Sequence, residues 1–205
     1  MVVGLGSGST AYWFIAALGA RVREGLDVRG VPSSLASAAL AASHGIPLVE
    51  LDRRGVELAV DGADAVDSDL RLIKGRGGAM VREKIVAAAA RRFVVVVDET
   101  KMCDQLRGRV PVELVAFGAD HTLALLESTG ARFTLREDGT GAHVVTDNQN
   151  LVADGEYPTI SDPEGLAERI QAIPGVVGHG LFLGMADLVL VGHEDGRVDQ
   201  VGPAR

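Results

Sequence analysis

The first half of the chain alternates short apolar runs with longer stretches whose apolar residues recur at helical spacing. The runs predict strands directly after Met1 and over 28–31, 46–51, 57–60 and 93–97. The stretches predict helices over 11–24, 34–43 and 79–91. The first helix is expected to turn four residues toward the core: Trp13, Phe14, Ala17 and Leu18. Repeated strand–helix units form parallel sheets, so a Rossmann-like α/β domain is predicted.

The order of elements changes after Lys101. Apolar alternation predicts strands over 112–117, 132–137, from 142 to beyond Asn150, and over 176–183. Helices are predicted over 119–128 and 162–173, the latter with Asp162 as N-cap and Pro163 in its first turn. The resulting β-α-β-β-α-β order is that of a smaller ferredoxin-like α+β domain.

The last predicted strand, 186–191, could return to the first sheet. We therefore predict two domains. The Rossmann-like catalytic domain comprises residues 1–108 and 184–205, and the ferredoxin-like domain comprises residues 109–183.

Charge and composition restrict the partners. The net charge of −8 leaves no basic stripe for nucleic acid, so an anionic substrate would need local cations. No apolar run is long enough to cross a membrane. The single cysteine, Cys103, excludes an internal disulfide and is typical of a reducing cytoplasm, where we place the protein.

The densest set of chemically usable groups lies between Asp61 and Lys101. Asp61 and Asp64 flank Gly62 and Ala63 directly after a predicted strand, and Lys101 follows the end of another. Two further groups lie between these ends: Lys74, which opens the glycine loop Gly75-Arg76-Gly77-Gly78, and Glu83, in the helix behind it. Ligands of open α/β sheets bind at the carboxyl ends of strands, so these groups are expected to converge on one pocket. The alternative for any one of them is a solvated loop charge.

The N-terminal loop offers a second candidate site. Ser7, Gly8, Ser9 and Thr10 lie at the start of a helix, where backbone N–H groups and hydroxyls can bind phosphate. The glycine spacing matches neither the dinucleotide-binding pattern nor a P-loop, and a plain tight turn is the alternative. The five histidines lack metal-ligand spacing, and the nearby lysines already supply positive charge, so no metal is predicted.

At these positions the chain resembles ribose-5-phosphate isomerase of the A type. The similarity is carried by four segments in the order of that family: Gly6-Ser7-Gly8-Ser9-Thr10, Asp61-Gly62-Ala63-Asp64, Lys74 to Ala79 with Arg82-Glu83-Lys84-Ile85, and Asp98-Glu99-Thr100-Lys101. Three further segments also match: Pro111-Val112-Glu113, Thr146-Asp147-Asn148 and Gly175-Val176-Val177.

The resemblance implies reversible conversion of ribose 5-phosphate to ribulose 5-phosphate in the pentose phosphate pathway, through an enediolate and without cofactor. Glu83 would be the general base, Lys74 would stabilise the developing negative charge, and Asp61 with Asp64 would handle hydroxyl protons. The remaining candidate residues would bind the sugar phosphate: Ser7, Gly8, Ser9, Thr10, Gly62, Ala63, Gly75, Arg76, Gly77 and Lys101. The resemblance also implies a homodimer.

The chain departs from the family pattern at three places. An N-terminal helix before the first strand is missing, so the chain is expected to be short there. Arg76 and Gln149 replace glycines that are common in the family. Two alternatives are open at this stage, a non-catalytic sugar-phosphate-binding domain and an enzyme related to sugar-phosphate deaminases or coenzyme A transferases.

Overall fold

The computed structural model describes residues 1–202, which form two compact units. Unit 1 comprises Met1–Ala63, Arg82–Lys101 and the segment from Gly184 onward. Unit 2 comprises Asp64–Val81 and Met102–Leu183. As in the predicted domains, the chain returns to the first unit at residue 184. Residues 64–81 and 102–108, however, belong to unit 2 and not to the unit that matches the predicted catalytic domain. The domain boundaries stay a prediction. Residues 203–205 of the predicted catalytic domain lie outside the described residues.

Thirteen strands and five helices are described within residues 1–202. The strands are β1 Val2–Leu5, β2 Arg29–Pro32, β3 Leu58–Asp61, β4 Ala65–Val66, β5 Leu72–Ile73, β6 Phe93–Asp98, β7 Gly108–Leu114, β8 Phe133–Leu135, β9 Leu151–Tyr157, β10 Val176–His179, β11 Leu181–Phe182, β12 Leu188–Gly192 and β13 Val198–Val201. The helices are α1 Gly8–Arg23, α2 Leu35–Ser43, α3 Met80–Ala88, α4 Ala119–Glu127 and α5 Pro163–Gln171.

Unit 1 is built on a six-stranded sheet in the order β13-β12-β6-β3-β1-β2. All neighbouring strands pair in parallel except β12 and β13, which form an antiparallel hairpin. The parallel arrangement places the carboxyl ends of β1, β3 and β6 at one edge of the sheet. The predicted Rossmann-like fold is confirmed, and so is the return of the C-terminal strand β12 to the first sheet.

The burial of helix α1 differs from its prediction. Its buried residues are Ala11, Ile15 and Gly19, which follow one another at four-residue spacing along a single face. Phe14 packs beside this face, but Trp13 has 72% of its surface exposed. The prediction of Trp13 and Ala17 as core residues is therefore wrong, because the helix is rotated toward its small residues.

The predicted strand over 46–51 is also wrong. Only one parallel bridge forms in this segment, between Leu48 and Gly30 at the edge of the sheet. Pro47 accepts a hydrogen bond from Gly30 through its carbonyl but has no N–H to continue the ladder. The Val49 N–H still donates to the Gly30 carbonyl, but the proline prevents the ladder from extending on its N-terminal side.

Unit 2 contains a four-stranded antiparallel sheet in the order β10-β7-β9-β8. The order along the chain is β7-α4-β8-β9-α5-β10, so the predicted ferredoxin-like topology is confirmed. One core cluster, including Val112, Leu126 and Ile170, is buried between this sheet and its helices. Helix α5 starts as predicted, since Asp162 accepts a hydrogen bond from the Gly165 N–H and Pro163 is its first residue.

Two predicted strands of this unit differ in the structure. The segment 142–150 has isolated bridges only, because the Thr146 hydroxyl accepts hydrogen bonds from the N–H groups of Asn148 and Asn150 and holds a turn within it. The predicted strand 176–183 is divided at Gly180 into β10 and β11, and β11 pairs with β5 in a separate small sheet with β4. A side chain at Gly180 would lie 2.1 Å from the Lys74 carbonyl oxygen, which explains the glycine at this crossing.

Within residues 1–202, no helix has both the length and the apolar character needed to cross a membrane.

Candidate active site

Asp61 is the last residue of β3 and is only 4% exposed. Its Oδ1 accepts hydrogen bonds from the Ser7 N–H at 3.1 Å and from the Gly62 N–H at 2.7 Å. Gly6 lies directly against the carboxylate, where no larger residue would fit. The ends of β1 and β3 thus fix the carboxylate of Asp61 at the edge of the unit 1 sheet.

The N-terminal loop is ordered by a chain of serine hydroxyls. The Ser7 hydroxyl donates to the Ser34 hydroxyl at 2.8 Å and lies 2.9 Å from the Ser33 hydroxyl. Ser34 caps helix α2 through reciprocal hydrogen bonds with Ser37. The Ser7 hydroxyl and N–H both donate to protein groups and help to hold this loop and Asp61 in place, while contact of Ser7 with a substrate stays a prediction. Ser33 and Ser34 were not among the predicted site residues, since in the sequence they lie between a predicted strand and the start of a predicted helix.

The first turn of α1 remains suited to an anion. Ser7 makes no side-chain cap to this helix, and the turn contains no acidic residue. Gly8 and Ser9 are exposed, and Thr10 is half-buried against Gly62. N–H groups at a helix N-terminus and nearby hydroxyls bind phosphate well, and the helix dipole favours the negative charge.

A cleft of about 610 Å³ in unit 1 borders this helix start. Its lining includes Ser9 and Thr10 on one side and Asp98, Glu99 and Thr100 on another. Asp98 accepts hydrogen bonds from the N–H and the hydroxyl of Thr100, and the latter bond above all lowers the Asp98 pKa. Lys101 ends the short 3-10 turn Glu99–Lys101 and is half-buried. The structure thus brings the N-terminal loop and this turn together.

Glu83 lies in the first turn of α3 and is only 5% exposed. The N-terminal end of a helix favours negative charge, and an ionised carboxylate is the form that can accept a proton. Burial lowers the pKa of the neighbouring Lys84 to about 8.

Lys74 follows β5 in unit 2 and is only 3% exposed. Its backbone N–H donates to the Gly180 carbonyl at 2.8 Å. Its Nζ lies 5.3 Å from the centroid of the Phe182 ring, a cation–π contact that favours the charged ammonium group. A buried lysine whose charge is supported in this way can stabilise a forming oxyanion.

The glycine loop after Lys74 is held by Asp64. The Arg76 N–H donates to Asp64 Oδ2 at 3.0 Å, and the Gly78 N–H donates to the Gly75 carbonyl at 2.9 Å. Gly75 has a φ of 104° and faces Met80 so closely that a Cβ would lie 2.8 Å from the Met80 Cβ. The Arg76 side chain and Gly77 are exposed.

The predicted site residues therefore form two sets. Unit 1 contains Ser7, Gly8, Ser9, Thr10, Asp61, Gly62, Ala63, Glu83 and Lys101. Unit 2 contains Asp64, Lys74, Gly75, Arg76 and Gly77. Their convergence on one pocket stays a prediction. Sequence reasoning missed Phe182, which contacts Lys74, Arg136, which binds its loop, and Asp154, which binds Arg136; all three are distant from Lys74 in the chain and carry no local motif.

No group of three or more His, Cys, Asp or Glu side chains within residues 1–202 could hold a metal ion. Metal independence itself stays a prediction about the reaction.

Comparison with known proteins supports one family over nearly the whole chain. The sequence profile of the family described as ribose 5-phosphate isomerase A (phosphoriboisomerase A) matches residues 29–196. A ribose-5-phosphate isomerase A of Roseiflexus sp. (strain RS-1) is 51% identical over 209 aligned residues, which cover 100% of this chain and 90% of the relative.

Solved structures give the same result. The ribose 5-phosphate isomerase from Plasmodium falciparum superposes with a TM-score of 0.95 at 33% identity, covering 100% of this chain and 92% of that one. A D-ribose-5-phosphate isomerase in complex with phospho-erythronic acid superposes with a TM-score of 0.94 at 40% identity, covering 98% of this chain and 90% of that one. With its fold, its sequence and its motifs in agreement, the chain belongs to the ribose 5-phosphate isomerase A family.

Proposed function

We propose that the protein interconverts D-ribose 5-phosphate and D-ribulose 5-phosphate through an enediolate, with Glu83 as the general base and Lys74 as the group that stabilises the oxyanion. Family membership favours this isomerase over the two alternatives left open by the sequence. The observation that carries the residue roles is the burial of both groups, at 5% and 3% exposure. A carboxylate and an ammonium group removed from bulk water interact more strongly with a developing charge than exposed groups do.

The chemistry requires one proton to move between two carbons. In the open-chain aldose, Glu83 takes the proton from C2, and the electrons of the C–H bond form the C1=C2 double bond while O1 becomes negatively charged. Lys74 faces this charge. Return of a proton to C1 then leaves a carbonyl at C2, and the hydroxyl proton of O2 is transferred toward O1. Asp61 and Asp64 are proposed to handle the hydroxyl protons, in this step and in ring opening.

The phosphate is proposed to bind at the start of α1, where Gly8, Ser9 and Thr10 offer N–H and hydroxyl donors, with Lys101 supplying positive charge. The backbone of the buried Gly62 and the half-buried Ala63, together with the loop Gly75-Arg76-Gly77, completes the proposed substrate contacts. The solved relative bound to phospho-erythronic acid supports this reading, because a sugar-acid phosphate combines a phosphate with a carboxylate that resembles the planar, negatively charged enediolate. Homodimer formation, cytoplasmic location and the absence of a cofactor remain proposals from the family resemblance.

The decisive experiment is a coupled assay of ribulose 5-phosphate formation by the wild type and by Glu83→Gln. The variant keeps the size of the side chain but removes the base, so we expect kcat to fall by about 10²–10⁴-fold with little change in KM. Glu168→Gln, on the exposed face of α5, is the matched control and should retain wild-type turnover. Near-normal turnover by Glu83→Gln would move the role of base to Asp61 or Asp64.

A further inference from the structure

Arg136 connects the ferredoxin-like sheet of unit 2 to the glycine loop that follows Lys74. Its Nη1 donates to the carbonyl oxygens of Gly75 at 3.1 Å and of Arg76 at 2.8 Å. Its Nε and Nη2 donate to the two carboxylate oxygens of Asp154 at 2.8 and 2.5 Å. The guanidinium group thus binds both carboxylate oxygens of Asp154 through Nε and Nη2, and two successive peptide carbonyls of the loop through Nη1.

This arrangement is more than a surface ion pair. The Arg136 and Asp154 side chains are only 12% and 10% exposed, whereas exposed pairs contribute little. The planar fork of arginine can bind a carboxylate at two points and still present N–H groups elsewhere, which the single ammonium group of lysine cannot do. Removing Asp154 would leave the Arg136 charge buried without its carboxylate, and removing Arg136 would leave Asp154 with only the longer contact of 3.9 Å to Arg109.

The loop is restrained from two directions. On one side Arg136 binds the carbonyls of Gly75 and Arg76, and on the other Asp64 binds the Arg76 N–H. Because the peptide group is planar, fixing the Gly75 carbonyl and the Arg76 N–H fixes the orientation of the whole peptide that joins them. Lys74 directly precedes this peptide. The N–H of Lys74 is fixed by its bond to the Gly180 carbonyl, and because a glycine-rich backbone has little stiffness of its own, the bonds of Arg136 and Asp64 fix the loop on the other side of Lys74.

We propose that Arg136, oriented by Asp154, is a positioning residue that holds the Lys74 loop in its reactive conformation. The proposal rests on the proposed function only for the role of Lys74, and the clamp itself can be tested without activity. A misplacement of about 1 Å in a catalytic group can cost on the order of 10²-fold in rate. Loosening this loop should therefore lower kcat more than it raises KM.

The kinetic test compares Arg136→Ala, Arg136→Lys and Asp154→Asn with Arg132→Ala, a control at an exposed arginine beside the same strand. We expect kcat to fall by about 10–10²-fold in the Arg136 variants and to fall less in Asp154→Asn, while the control is unchanged. Millimolar methylguanidinium should restore part of the kcat of Arg136→Ala, since it can occupy the vacated position, and should leave the control unaffected. A merely structural role would lower Tm but leave kcat at 25 °C unchanged and insensitive to methylguanidinium, and this result would overturn the proposal.

The second test is limited trypsin digestion, followed by mass spectrometry of cleavage after Arg76. The Arg76 carbonyl belongs to the scissile peptide bond and is bound by Arg136, so cleavage there should be faster in Arg136→Ala than in Arg132→Ala. Faster cleavage in Arg136→Ala, together with no isomerase activity in the wild type, would support the clamp and refute the proposed function. Wild-type isomerase activity in Arg136→Ala, together with unchanged cleavage, would refute the clamp and support the proposed function. If Arg136→Ala does not fold, kcat and the rate of cleavage after Arg76 in Arg136→Lys and Asp154→Asn test the proposal in its place.

Discussion

Gly6 lies so close to Asp61 that a methyl group at Gly6 would be 2.2 Å from Asp61 Oδ1 and 2.6 Å from the Asp61 Cα. The second distance involves backbone, so rotation of the Asp61 side chain cannot relieve it. The absence of a side chain at residue 6 is therefore a condition for the position of the buried carboxylate at the end of β3.

We predict that Gly6→Ala displaces Asp61 and reduces activity. Overpacking of this kind costs about 1–3 kcal/mol, which corresponds to a Tm lower by roughly 2–4 °C per kcal/mol for a domain of this size. The kcat should fall together with Tm. Gly139→Ala is the control, because a methyl group there would meet no atom within 4 Å, and its Tm and kcat should match those of the wild type. A Gly6→Ala protein with unchanged kcat would show that Asp61 does not act in catalysis.

Ser7 and Thr10, both at the start of α1, should respond differently to substitution. Thr10→Ala removes a donor proposed for the phosphate, so KM should rise by about tenfold or more while kcat changes little, as expected for contacts made equally in ground and transition states. Ser7→Ala removes a hydroxyl that donates to Ser34, so its main effect should be a lower Tm. A larger KM increase for Ser7→Ala than for Thr10→Ala would contradict this assignment.

Lys101→Ala tests the charge of the same proposed phosphate site. We expect KM for the phosphorylated sugar to rise with little change in kcat, and the KM of the wild type to depend more on ionic strength than that of the variant. Loss of kcat at unchanged KM would place Lys101 in the chemistry instead of in phosphate binding.

Gln149 has a φ of 65°, in the left-handed region that glycine tolerates best. Its side chain is exposed, so the glycine common at this position in the family is explained by backbone conformation. Gln149→Gly should raise the free energy of unfolding by about 0.5–1 kcal/mol, after allowing for the greater flexibility of glycine in the unfolded chain. Gln149→Ala keeps the Cβ and should give no such gain in chemical denaturation, which separates backbone strain from loss of the side chain.

His193 provides a pH-dependent link within unit 1. Its Nδ1 lies 2.7 Å from Glu99 and its Nε2 lies 2.9 Å from Asp199, and the Glu99 contact is the main cause of its raised pKa. Because the pKa of His193 is raised in the folded state, protonation of His193 stabilises the folded protein. This stabilisation is fully present below the ordinary histidine pKa near 6.5 and is lost as pH rises through the folded-state pKa.

The corresponding measurement is Tm as a function of pH, from about 5.5 to 9, for the wild type and His193→Gln. The wild type should have a higher Tm than His193→Gln at the acidic end of this range, and this difference in Tm should shrink as pH rises. A difference that stays constant or widens toward alkaline pH would contradict the role assigned to protonated His193.

Much of the fold could be predicted because local patterns and tertiary structure agree in it. The run Phe93 to Val97 is apolar and β-branched, and it forms a strand between two parallel neighbours. The errors occur where a particular contact outweighs the pattern. Pro47 lacks the N–H that would extend a sheet edge, and the Thr146 hydroxyl captures N–H groups that an extended strand would need.

The candidate site shows a similar division. Asp61, Lys74 and Glu83 stand out in the sequence because charges rarely follow apolar strands or lie beside glycine loops without a reason. The residues that position them could not be found in this way. Arg136 is 60 residues from the Arg76 carbonyl that it binds, and in the sequence it is one charged residue within an ordinary strand.

The place of β12 in the unit 1 sheet has a consequence for synthesis of the protein. The β6 strand, Phe93-Val94-Val95-Val96-Val97-Asp98, pairs on one side with β3, but its other side is covered only by Leu188–Gly192. While the ribosome is still producing the residues between them, β6 has an unpaired apolar edge, and such edges promote association between chains. Nascent chains that end before residue 188 should therefore aggregate, and β12 acts as the protein's own protection against that outcome.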